Sequence, residues 1–264
     1  MSVLTLREAP PERLDLHALT PLALSGLGQA EVERLLIGTS RRGLVVGDCF
    51  SVKLGGADEL VIEGGHERLD RVGAALSAGT IRVEGDVGQR LGAGMAGGTL
   101  TVTGNAGPFA GSGATGGTIT IEGDAGDHAG GALHAAKAGL DGATLVIRGR
   151  AGAHLGDSMR RGLIVAGEAG AFAGARMVAG TLAALRVGDH AGYGMRRGTL
   201  LVGAHGTLMP TFVETGTHDL VFLRLLARML RPVSPGHADL LNGTPRRYSG
   251  DLATIGKGEL WVAA

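Results

Sequence analysis

The sequence predicts an all-β repeat protein, a parallel β-helix, on three observations. A short phrase returns every 18 or 19 residues, glycine is far more frequent than usual, and glycines and small apolar residues recur in register with the phrase. The phrase is Gly79-Thr80-Ile81-Arg82-Val83-Glu84-Gly85, then Gly98-Thr99-Leu100-Thr101-Val102-Thr103-Gly104, then Gly117-Thr118-Ile119-Thr120-Ile121-Glu122-Gly123. After one longer spacing come Ala143 to Gly149, a shortened Gly162-Leu163-Ile164-Val165, Gly180-Thr181-Leu182 and Gly198-Thr199-Leu200-Leu201-Val202. No such unit buries its apolar face without its neighbours, so the units must stack.

Each element follows from this pattern. Thr-Ile-x-Val-x alternates with period two and reads as a short strand. The remainder of each unit must turn the chain. Gly85, Gly88 and Gly92 recur as Gly104, Gly107 and Gly111, as Gly123, Gly126 and Gly130, as Gly149, Gly152 and Gly156, and as Gly167, Gly170 and Gly174. Glycine supplies positive-φ corners and lets neighbouring turns approach. The residue before the third glycine is Leu91, Ala110, Ala129, Leu155, Ala173 or Ala191, a column expected to face inward. About nine coils stacked at roughly 4.8 Å give a rod on the order of 40 Å long. The crossover bias of parallel strands leans toward a right-handed winding. Leucine-rich repeats have a similar period, but their Leu-x-x-Leu-x-Leu spacing is absent.

Three regions are expected: an N-terminal cap at 1–40, the repeat at 41–206, and a C-terminal helix and tail at 207–264. An early unit, Glu59-Leu60-Val61-Ile62-Glu63-Gly64, precedes the phrase ending at Gly85 with a spacing of 21. Leu27 to Ile37 reads as an amphipathic helix with Leu27, Ala30, Leu35 and Leu36 on its apolar side. Asp219 to Arg231 reads as a second, with Leu220, Leu223, Leu226, Ala227 and Leu230 on one face and Pro232 and Pro235 beyond it. The two helices are expected to cover the open ends of the rod, which are otherwise bare sheet edges. From His237 onward the tail is expected to be irregular, apart from a final strand at Glu259-Leu260-Trp261-Val262.

Composition removes several classes. Gly is 49 of 264 residues but not every third, which excludes collagen, and its fixed register argues against disorder. The formal net charge of +0 offers no global attraction to nucleic acid or membrane, and neither is expected as a partner. The single cysteine, Cys49, excludes an intrachain disulfide and fits a reducing cytoplasm. The apolar stretch at Leu220–Leu230 is interrupted by Arg224 and Arg228 and is too short to span a bilayer. Arg7, Glu8, Glu12 and Arg13 leave no room for an apolar signal region before them.

Gly92-Ala93-Gly94-Met95-Ala96-Gly97 and Gly111-Ser112-Gly113-Ala114-Thr115-Gly116 both match GxGxxG. A dinucleotide site needs that pattern once, between a strand and a helix, so these glycines are read as corners. Asp127-His128-Ala129-Gly130 and Asp189-His190-Ala191-Gly192 look like a repeated acid–base pair, yet register explains the repetition. Their column is Arg90, Phe109, His128, His154, Phe172 and His190, beside the inward column, and is read as an outward interface stripe. His128 and His154 are expected about 4.8 Å apart. Phe109 and Phe172 break up the ligands a metal would need, and no metal site is assigned.

Arg41-Arg42-Gly43, Arg160-Arg161-Gly162 and Arg196-Arg197-Gly198 each precede a strand phrase, and Lys137 lies in the longer loop nearby. The bland reading is solvated charge that blocks edge pairing. The functional one is a basic edge for an anionic ligand or an acidic partner, since Arg pairs carboxylates bidentately. No His-Glu-x-x-His, Gly-x-Ser-x-Gly or Cys-x-x-Cys is present, so no catalytic residue is assigned.

Gly85-Asp86-Val87-Gly88 leading to Gly92-Ala93-Gly94-Met95-Ala96-Gly97-Gly98-Thr99 resembles the repeat of the GXGXG domain, a right-handed β-helix. That domain is shared by glutamate synthase large subunits and the C subunit of formylmethanofuran dehydrogenase, and the resemblance covers roughly 40–206. Gly188-Asp189-His190-Ala191-Gly192-Tyr193-Gly194-Met195-Arg196-Arg197-Gly198, Arg247-Tyr248-Ser249-Gly250-Asp251-Leu252 and Gly256-Lys257-Gly258-Glu259 are similar to the formylmethanofuran branch. The Ala- and Arg-rich composition resembles the bacterial form found in formyltransferase/hydrolase complexes. The resemblance implies a non-catalytic scaffold subunit in tetrahydromethanopterin-linked one-carbon transfer, without a cofactor of its own. Its implied partners are an amidohydrolase-like and a formyltransferase subunit, which act on a methanofuran-type carrier with an anionic glutamyl tail. Arg41, Arg42, Arg160, Arg161, Arg196 and Arg197 are then expected to attract that tail or an acidic subunit. A glutamate-synthase-like module and a homo-oligomeric β-helix are the alternatives.

Overall fold

The structure is a computed structural model that describes residues 1–56 and 58–264. In chain order it comprises β1 (Ser2–Leu6), β2 (Leu14–Asp15), α1 (Pro21–Leu24), α2 (Gln29–Glu33), α3 (Val46–Cys49), β3 (Phe50–Lys53), β4 (Glu59–Gly65), β5 (Leu69–Asp70) and β6 (Thr80–Gly85). Then follow β7 (Thr99–Val102), β8 (Thr118–Ile121), β9 (Asp141–Ala151), β10 (Arg161–Ala169), β11 (Thr181–Val187), β12 (Arg197–His205) and β13 (Val213–Thr217). The chain ends with α4 (Val221–Leu230), α5 (Pro235–Asp239), β14 (Arg246–Gly250) and β15 (Lys257–Val262).

The repeated phrases pair side by side in one 13-stranded sheet. Its parallel run is β1, β4, β6, β7, β8, β9, β10, β11, β12 and β15, and only the margins, β3 at one end and β14 with β13 at the other, are antiparallel. Register follows the sequence repeat: Ile81 pairs with Leu100, Leu100 with Ile119, and Ile119 with Leu145. The early unit joins through Leu60 opposite Ile81, at the predicted spacing of 21. These side chains are fully buried, and each contributes about 1.5–3 kcal/mol relative to exposure.

Coil-to-coil hydrogen bonds continue around the remaining sides. Val87, Ala106, Ala125 and Ala151 bridge in parallel, and the corners are linked by bonds such as Gly111 N–H to the Leu91 carbonyl (2.7 Å) and Gly130 N–H to that of Ala110 (2.6 Å). The arrangement is that of stacked coils, compatible with the expected β-helix. The Leu/Ala column faces inward as predicted, from Leu91 and Ala110 to Ala173 and Ala191.

The ends differ from expectation. The N-terminal helix is a single turn, Gln29–Glu33, and its inward residues are Val32 and, just beyond, Ile37, whereas Ala30 and Leu36 face solvent. The helix stops because the chain beyond it pairs with the segment ahead of α3: Leu36 bridges Val45, the Val46 N–H donates to the Leu35 carbonyl (2.9 Å) and the Ile37 N–H to that of Leu44 (3.0 Å). The end coil itself is completed by β1, which adds to β4 in parallel, and by β3, which pairs antiparallel with β1. At the other end α4 matches the predicted helix but lies on the outer face of the sheet. Leu223, Leu226 and Leu230 pack there with Leu163, Val165, Ala183, Leu201 and Trp261, while Leu220 stays exposed. The end itself is closed by β15, which contains the expected final strand at Glu259–Val262, and by β14 and β13; of these, β14 is the strand in the part of the tail expected to be irregular.

Where a glycine opens the strand phrase, from Gly79 to Gly198, it has positive φ and sits against the previous coil. At Gly117 (φ +82°) an added Cβ meets the Gly98 carbonyl oxygen at 2.7 Å, whereas at Gly113 (φ +67°) nothing lies within 4 Å. Gly113→Ala is therefore expected to cost only the left-handed penalty of about 1–2 kcal/mol. Gly117→Ala should cost a further roughly 1–3 kcal/mol of overpacking. Urea unfolding of the two variants measures the difference, and equal losses contradict the close-approach role.

Candidate functional site: a column of stacked rings

The predicted stripe is a physical column. Arg90, Phe109, His128, His154, Phe172 and His190 all adopt φ between 60° and 64°, apart from His128 at 59°. Left-handed backbone is costly for such residues and persists only where the surroundings impose it. Here the coil stack does so: the N–H of Phe109 donates to the Asp127 carbonyl (2.9 Å), His128 to Ala153 (2.8 Å), His154 to Ala171 (2.9 Å) and Phe172 to Asp189 (2.8 Å). Each ring is thereby set one coil above the last.

The rings stack face to face. Phe109 and His128 have centroids 5.0 Å apart at 8°, His128 and His154 4.7 Å at 1°, and His154 and Phe172 5.0 Å at 6°. Phe172 and His190 follow at 5.2 Å and 42°. Such contacts add about 0.5–1.5 kcal/mol each beyond area burial. His134, from the long loop, meets Phe109 edge-on at 5.6 Å, and Tyr193 meets Phe172 at 5.9 Å and 90°. All six column residues are half-buried. The Nδ1 atoms of His128, His154 and His190 are enclosed without a partner among the described residues. We assign their protons to Nε2, because an unpaired buried acceptor is cheaper than an unpaired buried donor.

His128, His154 and Asp157 bring potential ligand atoms within 4.8 Å of one another. Two parallel imidazoles point their lone pairs side by side instead of at one centre, and Asp157 is already gripped by Arg176 through Nε (2.9 Å) and a second guanidinium nitrogen. The set suits stacking better than coordination. Beside it lies a cleft of about 250 Å³ whose walls include Phe109, His128, His134, Asp157 and Arg176.

The arginine pairs divide. Arg161 opens β10 and Arg197 opens β12, with β11 between, so the pairs stand about 10 Å apart on one margin. Arg161 is engaged by Asp141 (2.8 Å), whereas Arg160, Arg196 and Arg197 have no ion pair among the described residues. Lys257 lies opposite Arg197 in β15 and joins this margin. Arg41 and Arg42 do not belong to it. They occupy a turn before α3, not the start of a stacked strand, near the β1–β3 end of the sheet order. Lys137 is exposed in the loop that also carries His134.

Sequence reasoning missed four contributors. Arg71 (φ 58°) continues the column, and its place 19 residues before Arg90 was a readable signal. Lys257 was hidden because the tail lacks the repeat phrase. His134 and Tyr193 reach the rings from outside the column, which no register announces.

Burial, and then the proximity of His154, hold His128 below its ordinary imidazole pKa. The neutral form is the one the fold accommodates, so stability is fully present above the unfolded value near 6.5 and falls as pH drops below it. His237 adds to this: enclosed on α5, its Nε2 bonds the Ala166 carbonyl (2.8 Å) and burial lowers its pKa. We expect the melting temperature to drop between pH 7 and pH 5, and His128→Phe, which keeps the stack, to lessen that drop. An identical drop in the variant contradicts the assignment.

No family model matches the chain. It is 72% identical over 265 residues, all of both chains, to the Fhc C subunit of the formyltransferase/hydrolase complex of Methylorubrum extorquens. It also superposes with TM-score 0.97 and 71% identity, over 99% of each chain, on a chain in the crystal structure of the formyltransferase/hydrolase complex (FhcABCD) from Methylorubrum extorquens in complex with methylofuran. On that identity over its whole length, the chain belongs to the family of C subunits of formyltransferase/hydrolase complexes.

Proposed function

We propose that this chain is a non-catalytic scaffold subunit of a formyltransferase/hydrolase complex, serving tetrahydromethanopterin-linked one-carbon transfer from formyl carrier to formate in the cytoplasm. The observation that carries the reading is the ring column: a rigid strip of half-buried Phe and His side chains on a hydrogen-bonded stack, built for contact. Its expected partners are an amidohydrolase-like and a formyltransferase subunit, which hold the chemistry. The reading includes a right-handed winding of about nine coils. It also treats residues 1–40 and 207–264 as terminal units around the repeat at 41–206. No helix among the described residues is long and apolar enough to cross a membrane.

The margin carrying Arg160, Arg196, Arg197 and Lys257 fits the anionic tail of a methanofuran-type carrier, because its cations are unopposed and spaced along an extended line. Arg161 contributes less, being neutralised by Asp141. Arg41, Arg42 and Lys137, set apart from this margin, are proposed to meet acidic surfaces of neighbouring subunits. Replacing Arg160, Arg161, Arg196 and Arg197 with Ser in the assembled complex should raise KM for the carrier several-fold and flatten its salt dependence. An unchanged KM at every salt concentration rules out contact with the tail. Replacing Phe109 and Phe172 with Ser should release the folded subunit from the complex, and full retention contradicts the interface role.

A further inference from the structure

Beyond the first end of the ring column the coils leave a second cleft, of about 390 Å³, between the N-terminal segment and the long loop. Arg71, Arg90 and Ser112 border it, on successive coils, with His17 on one side and Leu133 on the other. Two buried polar atoms here have no partner among the described residues: Arg90 Nε and Ser112 Oγ, the latter on a fully enclosed residue. An unmade hydrogen bond at a buried group costs about 1–3 kcal/mol, and native proteins leave few of them. Both can donate and both lie just beneath the wall of this cleft, where an acceptor that enters and displaces the wall slightly reaches them.

The charges narrow its identity. Asp15 pairs with Arg71 (2.6 Å) and with His17 (2.9 Å), so those groups are largely answered. Arg90 has no ion pair among the described residues and supplies one net positive charge. The rest of the lining is alanine, glycine and Leu133, which suits a short apolar stem and not a highly charged ligand.

We infer that this cleft binds a monocarboxylate on a short apolar stem, its oxygens accepting from Arg90 Nε–H and the Ser112 hydroxyl. The site stands on the far side of the ring column from Arg176 and does not require the proposed place in a complex. A guanidinium edge matches the planar carboxylate, and the hydroxyl takes the second lone pair.

The test uses the full chain labelled with ¹⁵N and follows arginine Nε–H resonances at pH 7 and constant ionic strength. Arg90 is identified by the signal lost in Arg90→Lys. Acetate and butyrate are titrated, with inorganic phosphate and chloride as comparisons. A saturable shift of the Arg90 signal, tighter for butyrate than for acetate and weakened at least five-fold in Ser112→Ala, is the expected result. Thermal melts of both variants establish that they are folded. Should Ser112→Ala fail to fold, Ser112→Cys replaces it, with the same weakening expected. No saturable shift with either carboxylate overturns the inference. An equal response to chloride or a preference for phosphate also overturns it, as does an unchanged affinity in the folded Ser112 variant.

Discussion

Everything in this structure depends on coils that hydrogen-bond to the coils above and below in fixed register. Because the bonds run between successive turns of the chain, a side chain at one place in a coil has its equivalent roughly 4.8 Å away in the next. Leu100, Ile119 and Leu145 become a continuous apolar column, and Leu91, Ala110 and Ala129 become another. Neither column is stable in a single coil, which is why the array behaves as one unit. The same constraint applies to polar groups. The Asp86 carboxylate accepts from the Asn105 N–H (2.7 Å), the Asn105 side chain from the Asp124 N–H (2.8 Å), and Asp124 from the Arg150 N–H (2.7 Å).

The ring column is what that constraint produces when the repeated residue is aromatic. Left-handed backbone at six non-glycine residues would be hard to explain in an isolated turn. In the stack, each strained residue donates its N–H to the next coil, and the five rings gain neighbours at 4.7–5.2 Å, which offsets the strain. The result is a surface whose shape is set by backbone hydrogen bonds and not by side-chain freedom. Such a surface loses little entropy when a partner docks. His128, in the middle of the stack, makes it sensitive to protonation, because burial holds that ring below its ordinary pKa.

Where the repeat phrase is intact, the sequence could be read closely. The period located β6 to β12, the glycine columns located the corners, and the Leu/Ala column located the interior. The stacked spacing of His128 and His154 also followed from register alone. Legibility failed where the chain leaves the repeat. Residues 27–37 carry a helical pattern, but Leu35–Ile37 pair with Leu44–Val46 ahead of α3, so only one turn of helix survives. Leu220 was grouped with the buried face of α4, yet the helix starts after it and settles on the sheet's outer face. Arg41 and Arg42 share a dipeptide with the other arginine pairs but not their place, because Gly43 leads into a turn and α3. The branch of the family was legible in the stretch Gly188–Gly198 within the repeat and in the tail motifs at Arg247–Leu252 and Gly256–Glu259. The tail motifs lie in and around β14 and β15, the strands that close the stack.

The most direct test of the central claim is hydrogen exchange at the imidazole C2 position of His128, His154 and His190, in the free chain and in the assembled complex. This reads both the accessibility of each ring and its pKa. The account predicts a lowered pKa for His128 in the free chain, and slower exchange at all three rings on assembly. Rates at the three rings that stay unchanged on assembly, while His66 or His218 elsewhere become protected, would show that the complex uses another face and that the column serves the fold alone.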